Sequence, residues 1–266
     1  MKKIFFVILT VVSFLIIVFW FFLKEERLEV EKSVPADLNI ENISIEEIEI
    51  KNKNEIQYVE KNTPSIEEPD NVDNNNLPKS KKIIVPFTSQ SPYGVWDEKH
   101  EEACEEASLL MVVKYLSGEK LTPKISEKEL QKMVDFQIKE SGDYKDSDME
   151  EVIELAKKFY KLDNLEVIYD FKKEKIKEEL AKGNPIIVPT AGRLLENPYF
   201  TPPGPLYHNL VLTGYNGDLI ITNDSGTKRG EGYVYDIDIL YNAIHDFTGE
   251  KEDIEKGRKA MIIISL

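Results

Sequence analysis

Cys104 is the only cysteine in a chain of 266 residues, and His100, His208 and His245 are its only histidines. A single thiol excludes an intramolecular disulfide framework, a zinc ribbon and a CxxC redox motif, which leaves packing or nucleophilic chemistry. Taken alone, a buried cysteine behaves as a small hydrophobe. Chemistry needs a base within reach and a third group that orients the base. His208 opens the run His208-Asn209-Leu210-Val211-Leu212-Thr213, and the next apolar run, 219–223, leads directly into Asp224. Cys104, His208 and Asp224 are thus candidates for nucleophile, base and orienting carboxylate. His100 lies in a charged segment, and His245 follows a short amphipathic stretch that suits a structural role.

The pattern around these residues predicts the elements that must position them. Residues 104–116 are apolar on nearly every face and are followed by Gly118, which predicts a buried central helix. A cysteine at its first turn meets unpaired amides and the positive end of the helix dipole, which favour a thiolate. Glu101, Glu102, Glu105 and Glu106 oppose it. Ser126-Glu127-Lys128-Glu129 and Ser147-Asp148-Met149-Glu150 have the form of capping boxes opening two more helices. The second overlaps the acidic set Asp143, Asp146, Asp148 and Glu150, but Glu151 stands where a calcium loop needs glycine. A short extended stretch is predicted at 83–87, a short helix at 172–182, and strands at 165–169, 186–190, 208–213, 219–223, 233–235 and 260–266. Helices first and strands later describe an α+β domain with a largely antiparallel sheet.

The hairpin register decides whether His208 and Asp224 meet. A two-residue Asn216-Gly217 turn would put them on opposite faces. A three-residue loop, Tyr215-Asn216-Gly217, with Gly217 left-handed, pairs Gly214 with Asp218 and sets His208 across from Asp224. The second register is the one that catalysis requires and the Tyr215-Asn216-Gly217 sequence permits, with a simple turn cap as the other use of Asp224. The segment Gly226-Thr227-Lys228-Arg229-Gly230-Glu231-Gly232 lacks the GK[ST] of a phosphate loop and reads as a hairpin loop. Residues 197–207 hold four prolines with Tyr199, Phe200 and Tyr207, which suits one wall of a substrate cleft or a rigid crossover.

Charge and hydropathy divide the chain into three. With 34 basic and 49 acidic side chains the net charge is −15, which argues against nucleic acid as a partner. Residues 4–23 are apolar except Thr10 and Ser13, and about 30 Å of helix spans a bilayer core. Lys2 and Lys3 precede this run, and no small-residue cleavage site or lipid-accepting cysteine follows it. Segment 1–23 is therefore expected to be an uncleaved transmembrane signal-anchor, with the bulk of the chain extracytoplasmic. Residues 24–82 carry nine basic and fifteen acidic side chains and one aromatic, the composition of a flexible tether with a reach of about 40–45 Å. Within it Ile43, Ile45, Ile48 and Ile50 alternate with polar residues as in a short strand or partner-binding segment. Residues 83–266 hold a net −11, which suits a domain held off an acidic membrane surface and a preference for basic substrates.

Three stretches together are familiar: Val85-Pro86-Phe87-Thr88-Ser89-Gln90, Ala103-Cys104-Glu105-Glu106-Ala107-Ser108-Leu109-Leu110-Met111, and His208 to Tyr215 with Asn223-Asp224. The chain from about Ile83 onward resembles the C39-like cysteine peptidases, relatives of the bacteriocin-leader peptidase domains of exporters. The resemblance implies a papain-like α+β fold with a buried central helix against an antiparallel sheet, here preceded by the one transmembrane helix. It implies Cys104 as nucleophile, His208 as general base and acid, Asp224 orienting the imidazole, and Gln90 donating to the oxyanion beside the Cys104 amide. Gln90 lies further from the cysteine than in the exporter domains, and Glu105 stands where glycine is usual. The implied activity is hydrolysis of a peptide or related amide through a thioester, without cofactor or metal. A peptidoglycan amidase and a non-catalytic module that binds peptide or cell-wall material are the alternatives, and oligomeric state is open.

Overall fold

A computed structural model describes residues 77–264. The apolar run 4–23, the tether up to residue 76, including the 43–50 segment, and the last two residues lie outside the described residues. Strand β1 (Ser80–Lys82) comes first, ahead of the 83–87 stretch where the sequence places the start of the domain. Residues 83–87 are extended but form no strand; the Ile83 amide donates to Thr213 and the Asn223 side chain donates to the Val85 carbonyl.

Four helices follow: α1 (Glu98–Glu101), α2 (Cys104–Ser117), α3 (Pro123–Ser141) and α4 (Met149–Leu155). Helix α2 has the predicted buried character, with Ala107, Leu109, Leu110, Met111 and Val112 almost wholly enclosed, and Gly118 closes it in the left-handed conformation. Two predicted helix starts shift. Helix α3 begins at Pro123 under a Thr122 cap, so Ser126 lies inside its first turn and is buried. The box that opens α4 is made by Asp148 with Glu151, one residue beyond the predicted Ser147 with Glu150. In both cases a better cap stood nearby: threonine directly before proline, and an aspartate reciprocated by glutamate three residues on.

The remaining elements are β2 (Leu165–Tyr169), α5 (Glu174–Lys182), β3 (Ile186–Ala191), β4 (Tyr207–Asn216), β5 (Leu219–Asn223), β6 (Glu231–Asp236), α6 (Ile237–Ala243) and β7 (Ala260–Ile264). The strands form one antiparallel sheet in the order β2-β7-β3-β4-β5-β6, and β1 pairs with the last residues of β4. Helix α2 packs on β4, the most connected strand. Burying that helix against that strand places the helix start and the strand start at one end of the core.

Candidate active site

The β4–β5 hairpin follows neither predicted register. Asn216 pairs with Leu219, so the loop is Gly217-Asp218, with Gly217 at a φ of 58° that favours glycine. With that turn and no irregularity, His208 and Asp224 would face opposite sides of the sheet. The ladder instead slips between Leu212 and Gly214: Gly214 faces Ile221, Leu212 faces Thr222 and Val211 faces Asn223, leaving Thr213 as an extra residue. This bulge inverts the facing of the rest of β4 and brings His208 to the side of Asp224. His208 Nε2 lies 2.8 Å from Asp224 Oδ1.

Both members of this pair are buried, and Asp224 has every lone pair engaged. Its Oδ1 also accepts from the Gly226 amide, while Oδ2 accepts from Asn197 Nδ2 at 3.1 Å and from the Tyr235 hydroxyl at 2.6 Å. Burial alone would raise this carboxyl, but the charge and hydrogen bond of His208, with those of Tyr235 and Gly226, hold it below the ordinary value. The His208 ring packs edge-on against Phe200 at 5.3 Å between centroids. Gly226 also lies against the ring, where a Cβ would come within 2.8 Å of it and 3.1 Å of Phe200, so only glycine fits there. With Nε2 held by Asp224, Nδ1 has no hydrogen-bond partner among the described residues.

Cys104 is the first residue of α2, and the preceding Ala103 supplies no side-chain cap. The first turn therefore has no side-chain cap from the residue before it, and the Cys104 N–H belongs to that turn. The thiol is 6 % exposed and lines a cleft of about 890 Å³ together with His208, Gln90, Trp96, Tyr199 and Phe200. Its hydrogen bond goes to Glu105 Oε2 at 3.0 Å and not to His208. Burial, then the charge and hydrogen bond of Glu105, push the thiol well above its usual value, against a smaller opposite effect of the Asn209 amide. Glu105 is itself raised well above the carboxylate range by burial and by Glu106, and its Oε1 accepts from the Ser147 amide. Glu106 is raised to about 7 by burial, despite a hydrogen bond from Gln137.

Gln90 lines the same cleft, yet both protons of its amide are taken, by the His100 carbonyl at 2.8 Å and the Glu101 carbonyl at 3.1 Å. It braces the end of α1, and an oxyanion role for Gln90 needs one of those bonds released. His100 is pinned between Asp97 and Glu127, and His245 between the Gly257 carbonyl and Lys259, so neither imidazole is free for the cleft.

Residues 82–249, more than half of the sequence, match the model of the Peptidase_C39 like family. The chain belongs to that family. Among solved structures it is similar to a protein from Bacillus anthracis described as a C39-like peptidase (15% identity, 70% of this chain and 98% of that one, TM-score 0.46). It is also similar to a fragment of prointerpain A from Prevotella intermedia (13% identity, 79% of each chain, TM-score 0.45). A third is a double glycine motif protease from an AMS/PCAT transporter in complex with the leader peptide (18% identity, 69% of this chain and 92% of that one, TM-score 0.33). No curated protein matches the sequence.

For this C39-like chain, contacts that sequence patterning did not assign complete the site. Asn197 and Tyr235 both donate to Asp224 Oδ2, Phe200 and Gly226 pack against the imidazole, and Glu105 engages the thiol. Glu105 carried a signal as a carboxylate beside the candidate nucleophile, and Phe200 as an aromatic of the proline-rich 197–207 loop. The others converge from a loop and from a strand two ladders away, which no local spacing reveals.

Proposed function

We propose that this protein is a cysteine peptidase that hydrolyses a peptide or related amide bond through a thioester on Cys104. The observation that carries the reading is the buried His208–Asp224 pair, 2.8 Å apart and opening on the cleft that Cys104 lines. In this mechanism Asp224 fixes the imidazole through Nε2, and Nδ1 takes the proton of the thiol. The sulfur attacks the scissile carbonyl, the Cys104 amide stabilises the oxyanion, and His208 returns the proton to the leaving amine. Water then attacks the thioester with His208 again as base. Substrate entry must draw the sulfur away from Glu105 toward His208. Gln90 joins the oxyanion site once one of its carbonyl partners gives way.

The apolar run 4–23 supports a membrane anchor with the catalytic domain outside the cytoplasm. External protease should then remove the domain from intact cells, and full protection of the domain would overturn that placement.

One observation favours a second reading. A thiol hydrogen-bonded to a buried carboxyl is poorly ionised, which suits a peptide-binding module that has lost turnover. A peptide-library digest with the full chain and its Cys104→Ser variant separates the two. Cleavage abolished by the substitution supports the peptidase; no cleavage, with Cys104 inert to iodoacetamide at neutral pH, supports the binding module.

A further inference from the structure

The domain is acidic, but one wall of its cleft is not. Lys228 and Arg229 line that cleft, both are exposed, and neither side chain has an ion pair or hydrogen bond among the described residues. Lys228 lies over the 91–94 turn, where a Cβ on Gly94 would come within 2.6 Å of its Nζ. The Arg229 guanidinium stacks on the Tyr199 ring at 4.8 Å. That ring is fixed in turn: Tyr199 meets Tyr233 at 5.9 Å, Tyr233 meets Tyr235 at 4.8 Å, and the Tyr235 hydroxyl is bonded to Asp224. Asn197 closes the circuit, since its Oδ1 accepts from the Tyr199 amide while its Nδ2 donates to Asp224. The loop carrying Arg229 is anchored at the same point, through the bonds from the Gly226 amide to Asp224 and from the Asp224 amide to Gly230.

A stacked guanidinium with its donors free is a pre-organised fork for a carboxylate. We propose that Arg229, with Lys228 beside it, forms a subsite for a carboxylate of the substrate, so that the cleft selects peptides bearing an acidic side chain near the bond to be cleaved. Glu101, the carboxylate that shares the cleft and pairs with neither cation, would turn such a side chain toward Arg229. The net charge of the domain points to basic substrates, whereas the charges that face the cleft at this loop point the other way. The proposal uses the cleft as the peptidase reading does, and its test separates binding from cleavage.

The test uses the full chain with Cys104→Ala and fluorescein-labelled decapeptides of Gly, Ala and Phe. Each carries one Glu, Gln or Lys placed at every position in turn, and binding is read by anisotropy. At one or two neighbouring positions the Glu peptide should bind about tenfold tighter than its Gln twin. Arg229→Gln should remove that ratio with little effect on the Gln peptides, and Arg229→Glu should shift the preference to Lys. Glu and Gln twins that bind alike, an Arg229→Gln variant that weakens both equally, or no binding at all would overturn the subsite. A Glu preference in binding without Cys104-dependent cleavage of the same peptides keeps the subsite and removes the peptidase reading.

Discussion

The two halves of the site are built on opposite principles. On the strand side, the His208–Asp224 pair is saturated with hydrogen bonds, and the buried carboxylate is held in its charged form. On the helix side, Cys104, Glu105 and Glu106 are buried in succession, and all three hold their protons more tightly than usual. Glu106 Oε2 and Ser108 Oγ have no hydrogen-bond partner among the described residues. The base is thus pre-organised at a gain in stability, while the nucleophile sits on stored electrostatic cost. A site with that asymmetry is ready to accept a proton but withholds the thiolate until something draws the sulfur out.

The largest effect should come from breaking the strand side outright. His208→Ala should lower kcat/KM by at least about 10^4-fold while leaving the far-UV circular dichroism of the folded chain intact, though with a lower unfolding midpoint because the buried Asp224 loses its partner. Activity that survives the change would mean that the base lies elsewhere, although His100 and His245 are both committed to structural bonds.

The helix side should show its cost in stability before it shows in rate. Glu106 keeps its proton up to about 7 in the folded chain, whereas in the unfolded chain it releases it near the ordinary carboxyl value of 4.5. The folded state therefore binds more protons between those values, and stability falls as pH rises through them, by roughly 3 kcal/mol. Glu106→Gln keeps an acceptor for Gln137 and cannot ionise. Denaturant midpoints from pH 4 to 8 should flatten in the variant over this window; an unchanged slope would remove Glu106 from the account.

How much of this was legible beforehand follows from the range of the forces involved. Helix α2, its Gly118 stop and strand β5 are matters of local composition, and the sequence predicted each within a residue. That His208 and Asp224 could face each other was also readable, as a question of register. The register itself was not: it rests on the extra residue Thr213, and a bulge leaves no mark in an alternating apolar run. Gln90 was placed in the right cleft, but its amide protons go to carbonyls ten and eleven residues on, which only the folded chain arranges. Asn197 and Tyr235 went unseen because their shared partner is a buried oxygen, not a neighbour in sequence.

The hold of Glu105 on the thiol gives the next prediction. The thiol donates to Glu105 Oε2, and any charge on that carboxyl opposes formation of the thiolate beside it. Glu105→Gln removes that charge, and its amide can donate to the sulfur. The rate of iodoacetamide alkylation of Cys104 at pH 8 should rise at least about tenfold, with its pH midpoint moved down. A rate that falls or stays put would make Glu105 a structural bond only, and the two halves would then not differ in how they hold their protons.

The smallest effect should come from loosening the strand side without dismantling it. Tyr235→Phe removes the 2.6 Å bond to Asp224 Oδ2 but leaves the bond from Asn197 in place. Asp224 then loses one of the interactions that hold it low, so its folded value moves up toward that of the unfolded chain. A depressed carboxyl contributes stability that is present above its unfolded value and lost as pH falls through its folded one. The variant should therefore lose stability at neutral pH and lose less of it on acidification. In rate, the cost should be about 1 kcal/mol, or fivefold in kcat/KM, with the acid limb of the profile moved upward. A uniform drop at every pH would assign Tyr235 to packing of the Tyr199–Tyr233–Tyr235 ladder, whereas a shifted limb assigns it to the charge of Asp224 and so to the way the imidazole is held.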